Sequence, residues 1–339
     1  MTDRSTLADQ FIARTDWSGS VRKPLVGDAS NRRYERLHLQ GQSAVLMDAP
    51  REKGEDIRPF VHIARFLCDL GLSAPRILAE DDVHGFLLLE DLGDDLFARV
   101  ISRDPALEYP LYEAATDALV HLHRAPPPQG LAAYDPVVML EMAALAWKWY
   151  LAGSKPADGA SEQAFRAAFG PVLHQHASET SVLIQRDYHA ENLIWLPDRI
   201  GPARVGLLDF QDAMAGHPAY DLVSVLQDAR RDVPSEVEAA MIGRYVAATG
   251  QDEPIFRAAY AVLGVQRNLR ILGVFGRLCI MGGKPHYIDL IPRVWGLLLR
   301  DLEHPALLSV ADLIRDALPA PSDDILKGLK DRCATIPKP

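Results

Sequence analysis

The segment VLIQRDYHAENLIWL (Val182–Leu196), followed shortly by VGLLDFQDA (Val205–Ala213), decides how this chain is read. The apolar run Val182–Ile184 predicts a short strand that delivers Asp187 into a loop. Asn192 lies five positions later. Leu193–Leu196 predicts a second strand, Pro197-Asp198 a turn, and Val205–Leu208 a third strand that delivers Asp209. Two carboxylates and one amide thus leave the ends of adjacent short strands. That set of residue types suits phosphoryl transfer. One carboxylate orients and deprotonates an attacking hydroxyl, the other holds Mg²⁺ on the phosphates, and an amide oxygen completes the metal shell. Asp187 is the expected base, with Asn192 and Asp209 the expected metal ligands.

Outward from that segment, the chain changes texture near residue 90. Before it, Val21–Val26, Arg33–Leu39 and Ala44–Met47 are short β-compatible runs, with a turn expected at Gly41-Gln42-Ser43. Apolar residues then recur at helical spacing from Ile57 to Leu67 and stop at Gly71. Two further strands, Arg76–Ala79 and Phe86–Leu89, flank the turn at Asp81–Gly85. The order β-β-β-α-β-β predicts an antiparallel sheet carrying one helix. After residue 90 the chain is mainly helical. Helices are expected over Leu111–His123 and Val137–Ala152, with a polar loop at Gly153–Ser161. Further helices run to about residue 330, broken at Gly282-Gly283, Pro285, Pro292 and Pro305. The expected fold class is α+β, with a small antiparallel-sheet lobe over residues 1–89 and a mainly helical lobe over 90–339.

The chain has 339 residues, 48% hydrophobic and 24% charged. This composition excludes collagen-like, disordered and disulfide-scaffold classes. Lys and Arg total 36 against 46 Asp and Glu, a formal net charge of −10, which disfavours nucleic acid as the main partner. Cys68, Cys279 and Cys333 are too few and too scattered for a disulfide framework, which favours a reducing compartment. Residues 1–20 lack the apolar core of a signal peptide, and Arg277 interrupts the longest apolar stretch, Ile271–Gly283. A cytoplasmic monomer without membrane partners is expected. His121-x-His123 and His174-x-His176 do not read as zinc sites, because helical residues two apart do not share a face. Trp147, Trp149 and Tyr150 read as core or cleft wall.

The spacing D-x-x-x-x-N, followed by a strand-borne D-F, is a kinase-type pattern. It departs from the usual form twice, as Gln185-Arg186-Asp187 and as Asp209-Phe210-Gln211. With these motifs the sequence resembles the aminoglycoside phosphotransferase family, which implies a bilobal protein-kinase-like fold. Leu87–Gly93 resembles that family's lobe hinge, Leu119–His123 its Leu-x-x-Leu-His helix, and Pro218–Leu222 its structural Pro-x-x-Asp-Leu segment. Within the family the chain is most similar to bacterial anomeric amino-sugar kinases of cell-wall recycling. That similarity rests on Gly27–Leu37, Val45–Pro50, Arg186–Asn192, Leu207–Ala213, Leu226–Val233, Gln266–Leu278 and Lys284–Trp295. It implies ATP as co-substrate, Mg²⁺ as cofactor, and the anomeric hydroxyl of N-acetylmuramate and N-acetylglucosamine as acceptor.

On the nucleotide side, Gly27, Ser30 and Asn31 lie between the first two strands. Either they cradle phosphate or they form an ordinary hairpin turn. The third strand has Met47 or Asp48 where kinases place a phosphate-binding Lys. Arg33, Arg32 or Lys53 is left to supply that charge. Arg33 shares a side with Leu37 by strand alternation and is the first candidate, against a solvated surface arginine. By resemblance, the Glu90 carbonyl and the Leu92 amide read adenine. The acids Glu90, Asp91, Asp94 and Asp95 read as a solvated cluster.

On the substrate side, His189 and Glu191 either reach a sugar hydroxyl or acetamido group or are loop structure. Asp212 either binds substrate or metal or caps the next helix. Arg267 and Arg270 share a helix face and suit the lactyl carboxylate of an acidic sugar. Rival readings are another small hydroxyl acceptor (aminoglycoside, choline-like alcohol or ketosamine) and a nucleotide-binding pseudokinase, which the missing third-strand Lys favours.

Overall fold

A computed structural model describes residues 3–25, 31–154 and 159–337. In chain order the elements are α1 (Arg4–Ile12), β1 (Val21–Leu25), β2 (Arg33–Leu39), β3 (Gln42–Asp48), α2 (Arg58–Asp69), β4 (Ile77–Asp81) and β5 (Phe86–Glu90). Then come α3 (Phe97–Arg103), α4 (Glu108–Leu122), α5 (Pro136–Ala143), α6 (Gly159–His176), β6 (Val182–Ile184), β7 (Leu193–Trp195), β8 (Val205–Leu207) and β9 (Met214–Gly216). The chain finishes with α7 (Tyr220–Leu226), α8 (Ser235–Thr249), α9 (Glu253–Ile280), α10 (Ile291–Asp301), α11 (Leu308–Ala317) and α12 (Asp323–Asp331). These elements fall into two compact units: Met1–Arg124 with Ala190–Ala213, and Ala125–His189 with Met214–Pro339.

The first unit is built on a five-stranded sheet in the order β1-β2-β3-β5-β4, with every pairing antiparallel. The β2–β3 turn falls at Gln40-Gly41, both with positive φ (49° and 80°), as a tight hairpin of right-handed twist requires. At the β4–β5 turn, a Cβ on Gly85 would lie 2.1 Å from the Ala49 carbonyl oxygen, so only glycine fits. One sheet face is covered by α1, a helix the sequence reading did not anticipate. Ala8, Phe11 and Ile12 pack with Leu37, Ala44, Leu46, Phe86 and Leu88. Burial of side chains such as Phe11 and Ile12 contributes about 1.5–3 kcal/mol each. Helix α2 buries Phe60, Ile63, Ala64 and Leu67, an apolar stripe at three-to-four spacing. The β7–β8 hairpin completes this unit.

The second unit is organised around α9, 28 residues long and buried along most of its length. Small residues let its backbone approach the segment before it. A Cβ on Gly273 would lie 2.3 Å from the Leu145 carbonyl carbon, and one on Gly276 would lie 3.0 Å from the Trp149 carbonyl oxygen. The helix expected over Val137–Ala152 is not continuous. It ends at Ala143, and Ala146–Leu151 winds as a π-helix. Trp147 stacks on Phe165 with ring centroids 4.2 Å apart, and the Tyr150 hydroxyl donates to the Pro319 carbonyl at 2.7 Å. Pro292 opens α10 rather than breaking a helix, since its missing N–H is harmless in a first turn. Of the polar loop expected at Gly153–Ser161, residues 159–161 already belong to α6.

Candidate active site

In the second unit, β6 pairs antiparallel with β9, from Val182↔Gly216 to Ile184↔Met214. The expected neighbour of β6 was another strand of the Val182–Asp212 segment, but β7 pairs with β8 instead. After β6 the backbone turns sharply. Arg186 has φ +72°, a region that costs energy for a residue with a Cβ. Asp221, at the start of α7, holds that turn. Its Oδ2 accepts the Gln185 N–H at 2.6 Å and its Oδ1 accepts the Arg186 N–H at 2.9 Å. Asp221 is fully buried, and burial pushes its carboxyl up to about 7, against the pull of these two bonds and of Arg267.

Asp187 follows directly. Arg270 Nη1 lies 3.8 Å from its Oδ1. Burial alone would raise the Asp187 carboxyl, but Arg270, His189, Arg267 and Arg186 together hold it below the ordinary aspartate value. His189 is buried, and Arg230 Nη1 faces its Nε2 at 3.3 Å. A guanidinium can only donate, so Nε2 accepts and the ring proton sits on Nδ1. Burial, reinforced by Arg230, pushes the ring down to about 4, which leaves it neutral near pH 7. Of the two helix arginines expected to face the acceptor's carboxylate, Arg270 lies at Asp187 and Arg267 acts on it only through its field. Arg267 is itself 3% exposed and donates to Ser224 Oγ at 2.7 Å and to the Gln227 carbonyl at 3.4 Å. Sequence reasoning did not single out Arg230, although it quoted the run that contains it.

In the first unit, the β7–β8 hairpin brings Asn192 and Asp209 to one end. The Leu208 N–H donates to the Asn192 carbonyl at 3.0 Å, so Asn192 stands opposite the residue that precedes Asp209. Asp209 has φ +56° and is exposed. Gln211, which stands where the kinase motif has Gly, donates from Nε2 to Asp209 Oδ1 at 2.7 Å. Phe210 is fully buried against Phe60 of α2, with centroids 4.8 Å apart. The hairpin therefore anchors its apolar side and presents oxygen donors on the other. An exposed carboxylate beside an amide side chain is a donor set that fits Mg²⁺, which keeps several waters and takes few protein ligands. Glu191 and Asp212 are also exposed.

The nucleotide candidates also lie in the first unit. Gly27 and Ser30 fall outside the described residues. The Asn31 N–H donates to Glu55 Oε1 at 3.1 Å, and its side-chain amide donates to the Lys53 carbonyl at 3.1 Å. Arg33 does share a side of β2 with Leu37, but that side is the one α1 covers. Arg33 is exposed there, opposite Asp48 in register, so alternation does not turn it toward a nucleotide. On β3, Met47 is fully buried and Asp48 bridges to Arg4 of α1. Of the acids expected as a solvated cluster, Asp94 and Asp95 are exposed, whereas Glu90 and Asp91 are largely shielded, and all four pair with arginines. Arg36 binds Asp91 and Asp94, each at 2.7 Å, and Glu90 is held by Arg199 at 2.8 Å and Arg76 at 3.1 Å. Asp95 pairs with Arg103, and Leu92 is buried.

An antiparallel five-stranded sheet with helices α1 and α2, an Asp borne at the end of a strand, and a braced loop carrying an ionised Asp define a protein-kinase-like phosphotransferase. The chain belongs to the phosphotransferase enzyme family, whose sequence pattern matches residues 21–260. It is 39% identical to the N-acetylmuramate/N-acetylglucosamine kinase of Caulobacter vibrioides, over 90% of this chain and 94% of that one. With the N-acetylmuramate/N-acetylglucosamine kinase of Pseudomonas aeruginosa it shares 34% identity, over 86% of this chain and 87% of that one. Among solved structures, an aminoglycoside phosphotransferase of Streptomyces rimosus in complex with ADP and streptomycin superposes with a TM-score of 0.53 at 18% identity. That match covers 80% of this chain and 99% of the other, and it is a likeness of fold. Among the described residues no helix is long and apolar enough to cross a membrane.

Proposed function

We propose that this chain transfers the γ-phosphoryl group of ATP to the anomeric hydroxyl of N-acetylmuramate and N-acetylglucosamine, in the recycling of peptidoglycan. The observation that carries this reading is the placement of Asp187: a half-buried carboxylate 3.8 Å from Arg270, which holds it ionised, on a loop braced by Asp221. An ionised carboxylate accepts the proton of the hydroxyl as its oxygen attacks phosphorus, and the bond to the leaving ADP oxygen breaks. Names shared by the curated relatives support the choice of sugar.

In this reading residues 1–89 form the nucleotide lobe and residues 90–339 the catalytic and substrate lobe. Gly27, Ser30 and Asn31 cradle the phosphates, and the Glu90 carbonyl and Leu92 amide read adenine. Asn192 and Asp209 hold Mg²⁺, which neutralises charge on the phosphates. His189, through its Nδ1–H, and Glu191 and Asp212 bind sugar hydroxyls or the acetamido group. Arg270 faces the acceptor carboxylate, while Arg267 adds positive field from its buried position. The protein works in the cytoplasm as a monomer.

A phosphotransfer assay against N-acetylmuramate, N-acetylglucosamine, aminoglycosides, choline and ketosamines tests this. The product anomer is read by phosphorus NMR. Sugar 1-phosphates are expected. Phosphorylation of only a cationic acceptor would reassign the substrate, and absence of turnover with every acceptor would favour the pseudokinase that a strand β3 without Lys suggests.

A further inference from the structure

The cation missing from β3 has a structural counterpart elsewhere in the first unit. Strand alternation places Tyr34 and Arg36 on the face of β2 opposite Leu37 and α1, and Arg32, just before the strand, lies beside Tyr34. Arg36, at one end of that face, holds Asp91 within and Asp94 just beyond the segment proposed to read adenine. Toward the other end, Tyr34 lies within the electrostatic reach of both Arg32 and Asp209. The face therefore runs from the adenine segment to the proposed metal ligand.

Arg32 is well placed beside it. Its Nε donates to Glu55 Oε2 at 2.9 Å, and the two side chains are only 11% and 13% exposed. Glu55 Oε1 also accepts the Asn31 N–H, so one carboxylate ties Asn31 to the guanidinium of the residue that follows it. Tyr34 also lies within hydrogen-bonding reach of this guanidinium, so Glu55 and Tyr34 together fix where it points. Its five N–H donors allow it to serve a carboxylate and a phosphate at once. The alternatives are placed less well. Lys53 is exposed in the turn before α2, and Arg33 is on the α1 side.

We propose that Arg32, oriented by Glu55, is the cation that binds the nucleotide phosphates in this protein, in place of a lysine on β3. The proposal rests on the nucleotide reading above and adds to it the residue that carries the charge.

Titration calorimetry of the full-length protein with ADP and with adenosine tests it. Adenosine keeps the base and lacks the phosphates. Arg32→Ala is expected to weaken ADP binding about tenfold to a hundredfold, as loss of a charge-assisted bond would, and to leave adenosine binding within about twofold of wild type. Arg32→Lys, which keeps charge and bulk, should recover part of the loss, and Glu55→Gln should show a smaller loss of the same kind. Arg65→Ala, on the exposed side of α2, serves as the control. Equal weakening of ADP and adenosine would make Arg32 merely structural and overturn the proposal, as would wild-type ADP affinity in Arg32→Ala. A loss in Arg33→Ala alone would move the role to Arg33. If wild-type protein binds adenosine and ADP equally, or binds neither, the nucleotide reading itself fails, which is a separate outcome.

Discussion

The two carboxylates at the centre of the sequence motif sit in opposite surroundings. Asp187, in the second unit, lies among arginines, with Arg270 3.8 Å away and Arg267 and Arg186 adding their fields. Asp209, in the first unit, is exposed at the end of a hairpin, and a neutral amide from Gln211 donates to it. Backbone with positive φ occurs at both, at Arg186 just before Asp187 and at Asp209 itself. The difference teaches how one residue type takes two tasks. The protein's own cations keep Asp187 charged, so it is ready to accept a proton. Asp209, in the proposed role of metal ligand, would be neutralised by the cation it holds. The formal charge of −10 therefore does not argue against an anionic ligand.

Substituting each carboxylate by its amide is the strongest way to break this comparison. Asp187→Asn should lower kcat by about a thousandfold or more, since it removes a general base and its orienting charge. Nucleotide binding should survive. Asp209→Asn should lower kcat comparably at low Mg²⁺ but regain part of it as Mg²⁺ is raised. If Mg²⁺ rescued Asp187→Asn and not Asp209→Asn, the two roles would have to be exchanged.

A smaller effect is expected at Asp221, which supports one carboxylate and not the other. Asp221→Asn leaves a buried N–H of Gln185 or Arg186 facing an amide NH₂ rather than an acceptor. Such a loss costs about 1–3 kcal/mol. Thermal unfolding should register it as a lower melting temperature, and kcat should fall because the turn at Arg186 loosens. The sharper readout is selectivity: Mg²⁺ dependence should stay that of the wild type. A shift in Mg²⁺ dependence as large as that of Asp209→Asn would show that the two halves are not separately supported.

These contrasts were only partly legible in the sequence. Strands β1 to β5 and the hairpin β7–β8 could be read, because short apolar runs bounded by turn residues leave few alternatives. The spacing of Asp187, Asn192 and Asp209 could be read for the same reason. Helix α1 was not read, and although Leu7, Ala8, Phe11 and Ile12 recur at helical spacing, the sheet face they cover is set by residues far along the chain. That omission explains the reading of Arg33. Its side of the strand followed from alternation, but which side is covered depends on a helix packed from elsewhere. Similarly, nothing local to Asp221 reveals that its oxygens reach back to Gln185 and Arg186, a contact across 35 and 36 positions. The break in the Val137–Ala152 helix went unseen because its pattern is apolar throughout, and π and α windings both bury it.

The smallest predicted effect isolates the charge that distinguishes Asp187. Its carboxyl is pushed up by burial and brought below the ordinary value by Arg270 first among the cations. The base works when deprotonated, so activity is present above this depressed pKa and lost as pH falls through it. Arg270→Gln leaves burial less opposed, and the acid limb of the kcat profile should move to higher pH. Near pH 8 the carboxylate would be ionised in either protein, so the variant should lose only a few-fold there and more at pH 5. N-acetylglucosamine is the acceptor for this measurement, because it has no lactyl carboxylate and removes the second proposed role of Arg270. With N-acetylmuramate the same variant should also show a raised KM. An acid limb that stays in place would mean that Asp187 owes its ionisation to Arg267, Arg186 and His189, and that Arg270 serves the acceptor alone.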